Sequence, residues 1–109
     1  MKQDLYGKCP YVTAQRVLQG KWTILILHYL SEEPLRFNQL LRKMPEMTHA
    51  TLSKQLKQLE QNGMVVRTEY PQIPPKVEYR LSNIGMEFVP VLDSLEQWGG
   101  KYITYLLET

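Results

Sequence analysis

"FNQLLRKMPEMTHATLSKQLKQLEQNG", residues 37–63, decides the fold. In its first part Phe37, Leu40, Leu41 and Met44 recur at helical spacing and make one apolar face. Pro45 ends that helix, because proline has no amide to donate and clashes with the preceding turn. Pro45-Glu46-Met47 then leads to Thr48, whose hydroxyl suits an N-cap. From there Leu52, Leu56 and Leu59 fall on the inner face of a second helix, which closes at Asn62-Gly63. Two short helices joined by such a turn form a helix-turn-helix, here over residues 37–62.

Downstream of Gly63 the period changes from 3.6 to 2. Met64, Val66, Thr68 and Tyr70 alternate with Val65, Arg67 and Glu69, and Val77, Tyr79 and Leu81 alternate with Glu78 and Arg80. This is a hairpin over residues 64–81. Its tip, "PQIPPK" at 71–76, is unusual, since a hairpin built only to fold would close through Asn-Gly or Asp-Gly. Three prolines stiffen the loop and leave Lys76 beside it. A rigid, positively charged finger fits a wing lying along a nucleic-acid backbone or in a minor groove, because a floppy one would lose ordering entropy on binding.

Ser82 caps a last helical stretch, 82–107. Ile84, Phe88, Val91, Leu95, Trp98, Tyr102 and Tyr105 are spaced in alternating fours and threes, a heptad-like seam. Pro90 and Gly99-Gly100 are expected to bend or break it. Upstream, Cys9-Pro10 opens a helix over 10–19, with Gly20 as its stop. "KWTILILHYL", 21–30, could be a buried strand, but Trp22, Leu25, Ile26, Tyr29 and Leu30 fit a buried central helix. The sum is a single domain over residues 1–109, mainly α with a small β-hairpin (α+β). It reads as a winged helix-turn-helix carrying extra N- and C-terminal helices.

The totals are those of an ordinary soluble chain: 109 residues, 43% hydrophobic, 22% charged and a net charge of +2. No apolar run approaches the ~20 residues that span a bilayer, and "MKQDLYGK" lacks a signal-peptide core, so the expected location is the cytoplasm. One cysteine excludes an intrachain disulfide. The charge is unevenly placed. Residues 36–67 hold six bases and two acids, a net of +4, whereas residues 86–109 hold four acids against Lys101, a net of −3. A basic middle and an acidic tail point to different partners, although a solvated surface with chance asymmetry gives the same counts.

If the three leucines face inward, steps of about 100° turn Ala50, Lys54, Lys57 and Gln61 outward, with Thr51, Ser53 and Gln58 on the flanks. A recognition helix places its N-terminal residues nearest the base edges. The candidate contacts are therefore Thr48, His49, Ala50, Thr51, Ser53, Lys54, Lys57 and Gln58. Arg36, Asn38, Gln72, Pro74, Pro75 and Lys76 are the candidates for the wing and the DNA backbone. Hydroxyls and lysines suit bases or phosphates, and the amides at Thr48 and His49 add a phosphate site. A merely solvated amphipathic helix is the competing reading. A protein-interaction module using the aromatic helix and the "PQIP" loop, which matches P-x-x-P, is the alternative function.

The seam either covers the chain's own core or pairs with a second subunit. The expected arrangement is a homodimer through Phe88, Val91, Leu95, Trp98, Tyr102 and Tyr105 with Tyr11 of the first helix, and hence a palindromic operator. Cys9, beside Lys8 at a helix start, has features that favour the reactive thiolate, although a small packing residue would look the same. There is no Gly-rich phosphate loop, no His/Cys/carboxylate cluster at ligand spacing and no nucleophile beside a base. Neither an enzyme nor a metal or other cofactor is expected. His28 and His49 both lack partners for such a role.

From about Cys9 through Gly99 the chain resembles the HxlR-type family of bacterial winged-helix transcriptional regulators. The matching pieces are Cys9-Pro10, Gly20-Lys21-Trp22-Thr23, Pro34-Leu35-Arg36-Phe37 and the run from Leu52 to Glu60. Gly63, Tyr70-Pro71, Pro74 to Tyr79, Leu81, Gly85, Pro90-Val91-Leu92 and Trp98-Gly99 continue it. The resemblance implies a dimeric DNA-binding repressor or activator, with the interface on the first and last helices. It also implies a cysteine at position 9 that in some members senses quinones, aldehydes or other electrophiles. One departure is Gln19, where the family often has a glycine before Gly20. With no second cysteine, a disulfide switch would join two subunits or use a small thiol.

Overall fold

The computed structural model describes residues 4–109; the expectation that "MKQDLYGK" carries no signal-peptide core falls partly on Met1, Lys2 and Gln3, which lie outside the described residues. In chain order the elements are α1 (Pro10–Val17), α2 (Thr23–Glu32), β1 (Leu35–Arg36), α3 (Phe37–Lys43), α4 (His49–Gln61), β2 (Val65–Tyr70), β3 (Lys76–Leu81), α5 (Asn83–Met86) and α6 (Val89–Glu108).

α4 forms where the leucine spacing puts it. Thr48 caps it, its Oγ1 accepting from the Thr51 amide at 3.1 Å. Gly63 ends the helical segment at φ +76, a conformation that glycine enters without a Cβ penalty. Leu52, Leu56 and Leu59 are buried together with Leu40 and Met44 of α3 and Ile26, Leu27 and Leu30 of α2. These three helices build the core. α2 is the central helix, as the apolar run implies, but Leu27 is buried while Trp22, Leu25 and Tyr29 are only partly so.

The hairpin pairs Val65 with Leu81 through to Tyr70 with Lys76, leaving residues 71–75 as the tip. It is not alone. β1 adds a third antiparallel strand in the order β1-β3-β2, with Leu35 opposite Tyr79 and Arg36 opposite Glu78. The wing is therefore stitched to the N-terminus of α3, and Leu35 is carried into the core.

Both terminal helices depart from their expected bounds. α1 ends at Val17, not at residue 19. The expected 82–107 stretch is two helices, broken at Glu87-Phe88. Pro90 falls in the first turn of α6, where its missing amide has no helical partner to lose. Gly99-Gly100 do not break α6, which runs through both for 20 residues. Once a helix is nucleated, each added residue gains a hydrogen bond, and two glycines cost only about 1 kcal/mol each relative to alanine.

The radius of gyration is 15.9 Å, against about 13 Å for a compact chain of this length. The wing and α6 stand out from the body. Of α6, Leu92 alone is buried, whereas Trp98, Tyr102 and Tyr105 are 64%, 46% and 56% exposed.

Candidate nucleic-acid interface

The face of α4 opposite its leucines is open. Lys54 and Lys57 are exposed, as are Ala50 and Ser53. Neither lysine enters an ion pair among the described residues. From His49 to Leu59 the helix carries no acid. The potential of this face is therefore set by unneutralised ammonium groups and the positive end of the helix.

α3 and the wing meet beside it. A cleft of about 410 Å³ is lined by Arg36, Asn38 and Arg42 on one side and by Pro75 and Lys76 on the other. Three cations and no carboxylate line it. Phe37 lies in its wall and also packs at a tilt against His49, with ring centroids 4.4 Å apart. One aromatic contact thus joins the cleft to the first turn of α4. Arg42 was not singled out from sequence. Its signal was its spacing, one helical turn beyond Asn38, which puts both on one face of α3.

Other side chains are engaged within the protein. The Thr48 and Thr51 hydroxyls lie 2.9 Å apart and serve the cap. Gln58 Nε2 donates to the Gln19 carbonyl at 3.3 Å, toward the turn between α1 and α2. Lys76 is not the free tip charge that the sequence implies. It is the first residue of β3, with Glu78 Oε2 3.6 Å from its Nζ and the Tyr70 ring 4.8 Å away. Arg67 likewise pairs with Glu69 at 2.8 Å, which raises its already high pKa. The wing's cations are largely balanced, and those of α4 and α3 are not. At the tip Gln72, Ile73, Pro74 and Pro75 are exposed, and Ile73 is wholly so.

At the other end of the molecule Cys9 is the N-cap residue of α1, a free and partly buried cysteine. Its carbonyl accepts from the Thr13 hydroxyl at 2.7 Å, and that hydroxyl accepts from the Gly7 amide at 2.8 Å. The segment before it is tied back by Asp4, whose carboxyl is held below its ordinary value by the Tyr6 amide and by Arg16. Tyr11, Val91, Trp98, Tyr102 and Tyr105 stay on the surface, and Phe88 and Leu95 are half-buried. Among the described residues no three His, Cys, Asp or Glu side chains gather as a metal would need, and no helix is long and apolar enough to cross a membrane.

Three core helices closed by a small antiparallel sheet, with an exposed basic second helix, define a winged helix-turn-helix protein. The chain belongs to the HxlR-like helix-turn-helix family, whose profile matches residues 17–106. An uncharacterized HTH-type transcriptional regulator of Halalkalibacterium halodurans is 44% identical over 93 residues, which cover 84% of this chain and 82% of that one. Among solved structures, the redox regulator HypR in its reduced form superposes with a TM-score of 0.86 at 33% identity, covering 93% of this chain and all of that one. The reduced form of the transcriptional regulator YodB from B. subtilis gives 0.77 at 33% identity, covering 86% of this chain and 93% of that one. The protein is accordingly a DNA-binding transcriptional regulator, not an enzyme.

Proposed function

We propose that the chain is a homodimer that reads a palindromic operator, seating α4 in the major groove of each half-site with its wing alongside. The observation that carries this reading is the division of α4. Its leucines are fixed in the core, and Lys54 and Lys57 stand free on the opposite side. The cleft holding Arg36, Arg42 and Lys76 is suited to the phosphates flanking that groove. Two-fold symmetry would set half-sites one helical turn, about 34–36 Å, or a multiple apart.

The dimer reading is supported by the uncovered aromatic seam of α6, on which Trp98 stacks with Tyr102 at 5.4 Å and Tyr102 meets Tyr105 at 5.4 Å. A regulator of this kind works beside the chromosome, in the cytoplasm. Response to an oxidant or electrophile is assigned to Cys9, supported by the likeness to HypR and to diamide-treated YodB.

Titration of a promoter fragment tests the DNA contacts. Affinity should fall steeply with salt, as counterions displaced from phosphates require, and should drop sharply for Lys54→Glu. Binding indifferent to both would refute the recognition-helix assignment. For the thiol, Cys9→Ser should still bind but no longer be released by diamide or a quinone. A wild type that ignores oxidants would remove the switch.

A further inference from the structure

We propose that Gln55 and Gln58, on one flank of α4, are positioning residues that fix the rotation of the DNA-reading helix by gripping the turn between α1 and α2. The proposal rests on the reading of α4 as the recognition helix and adds a determinant of operator discrimination away from the bases.

Four observations converge on that turn. Thr23 is the one buried polar side chain among the described residues, 1% exposed, at the head of the apolar run of α2. Its Oγ1 lies 2.9 Å from Gln55 Oε1 and 2.9 Å from the Gln19 carbonyl. One hydroxyl proton serves one of these acceptors at a time. With the Gln55 amide turned over, Nε2 donates to the hydroxyl and the hydroxyl donates to Gln19, so all three groups are satisfied. Gln58 Nε2, one helical turn along, donates to the same Gln19 carbonyl at 3.3 Å. Finally, Gly20 sits at φ +122, and a Cβ there would collide with the Gln55 amide and with Thr23 Oγ1. The turn's backbone lies directly against the glutamine.

The leucines cannot supply what these contacts do. Packing of Leu52, Leu56 and Leu59 fixes which face of the helix is inward, but apolar burial is non-directional and resists a roll of a few tens of degrees less sharply than a hydrogen bond does. Hydrogen bonds are directional and short-ranged. Two of them, a turn apart, one to the Gln19 carbonyl and one to the Thr23 hydroxyl bonded to it, set the azimuth. A roll of about 20° moves the surface of a helix of ~6 Å radius by about 2 Å. Phosphate contacts from flexible lysines survive that shift, and hydrogen bonds to base edges do not. The clamp therefore governs sequence discrimination and leaves general DNA affinity alone.

Thr23→Val is the sharpest variant, because it removes a hydroxyl inside the protein and keeps the volume. With an operator obtained by selection, Thr23→Val and Gln55→Met should each lower the ratio of operator to scrambled-DNA affinity by roughly five- to tenfold, the scale of one lost hydrogen bond. The salt slope should stay unchanged, and Thr23→Ser should restore the ratio. A folded Thr23→Val that discriminates like the wild type overturns the proposal. So does a Gln55→Met that relaxes preference at a single base pair while Thr23→Val is silent, since Gln55 would then be a base reader. If Thr23→Val does not fold, the partly exposed Gln55→Met decides the ratio. A second arm needs no DNA. In Gln55→Met the amides of Gln19 and Thr23 should exchange faster while those of residues 26–30 do not; equal exchange overturns the clamp. If the wild type selects no DNA, the recognition-helix reading falls, and exchange alone judges the clamp.

Discussion

α4 and α6 are both amphipathic helices with apolar residues three and four apart, yet they end in opposite states. Every leucine of the α4 stripe is buried, whereas α6 buries Leu92 and leaves most of its seam in solvent. The same periodicity thus has two outcomes, decided by whether the chain supplies a second surface. α2, α3 and the sheet close over α4. Past Leu95 nothing among the described residues closes over α6. A pattern tells which face of a helix is apolar, and the remainder of the fold tells whether that face is already covered.

The largest effect expected from this contrast is on the covered stripe. Leu56→Ala should lower stability by about 2–5 kcal/mol in urea denaturation, the usual range for a fully buried leucine. A loss below ~1 kcal/mol would mean that α4 is not held as described. The double change Trp98→Glu and Tyr102→Glu should leave the far-UV spectrum intact. Sedimentation should show it shifting the chain to monomers, with operator affinity falling by at least about tenfold as two-site avidity is lost. An unchanged sedimentation coefficient would break the comparison, because α6 would then be a free face.

On the outward faces, Lys54→Ala should reduce the slope of log affinity against log salt by about 1, and Lys101→Ala on α6 should leave it alone. Lys76→Ala should do less than Lys54→Ala, since its ammonium already faces Glu78 and Tyr70. Gly100→Ala should stabilise the chain by about 0.5–1 kcal/mol, because the glycine is helical, exposed and has open space where a Cβ would go. The smallest effect belongs to Asp4. Its carboxyl titrates below the ordinary 3.8, so the tie to Arg16 is complete above that pH and is lost only as the pH falls beneath it. Thermal scans of Asp4→Asn and the wild type should differ only slightly near pH 7, the mutant melting lower, and should converge as the pH falls below 3.8.

The helix-turn-helix was legible because three leucines, a threonine cap and a terminal glycine each vote for the same helix. The hairpin was legible from its change of period. Two residues have no period, so β1 was invisible until Leu35 and Arg36 were found beside Tyr79 and Glu78. The break before α6 was misplaced because glycines weigh heavily in a local reading, whereas helix propagation is cooperative. In the site, the free state of Lys54 and Lys57 followed from helix geometry. The neutralisation of Lys76 came from Glu78 on the same strand face, a pairing that only the register and side-chain reach reveal. Gln55 was unreadable for a different reason. Its partner Thr23 is 32 residues away, and no spacing rule within a helix reports a contact across the core.

The open seam of α6 also makes the amount of protein a variable. If two copies must meet there before an operator is filled, occupancy at low expression rises with the square of the number of chains. A modest change in synthesis or degradation would then move the regulated genes more than in proportion, with no inducer involved.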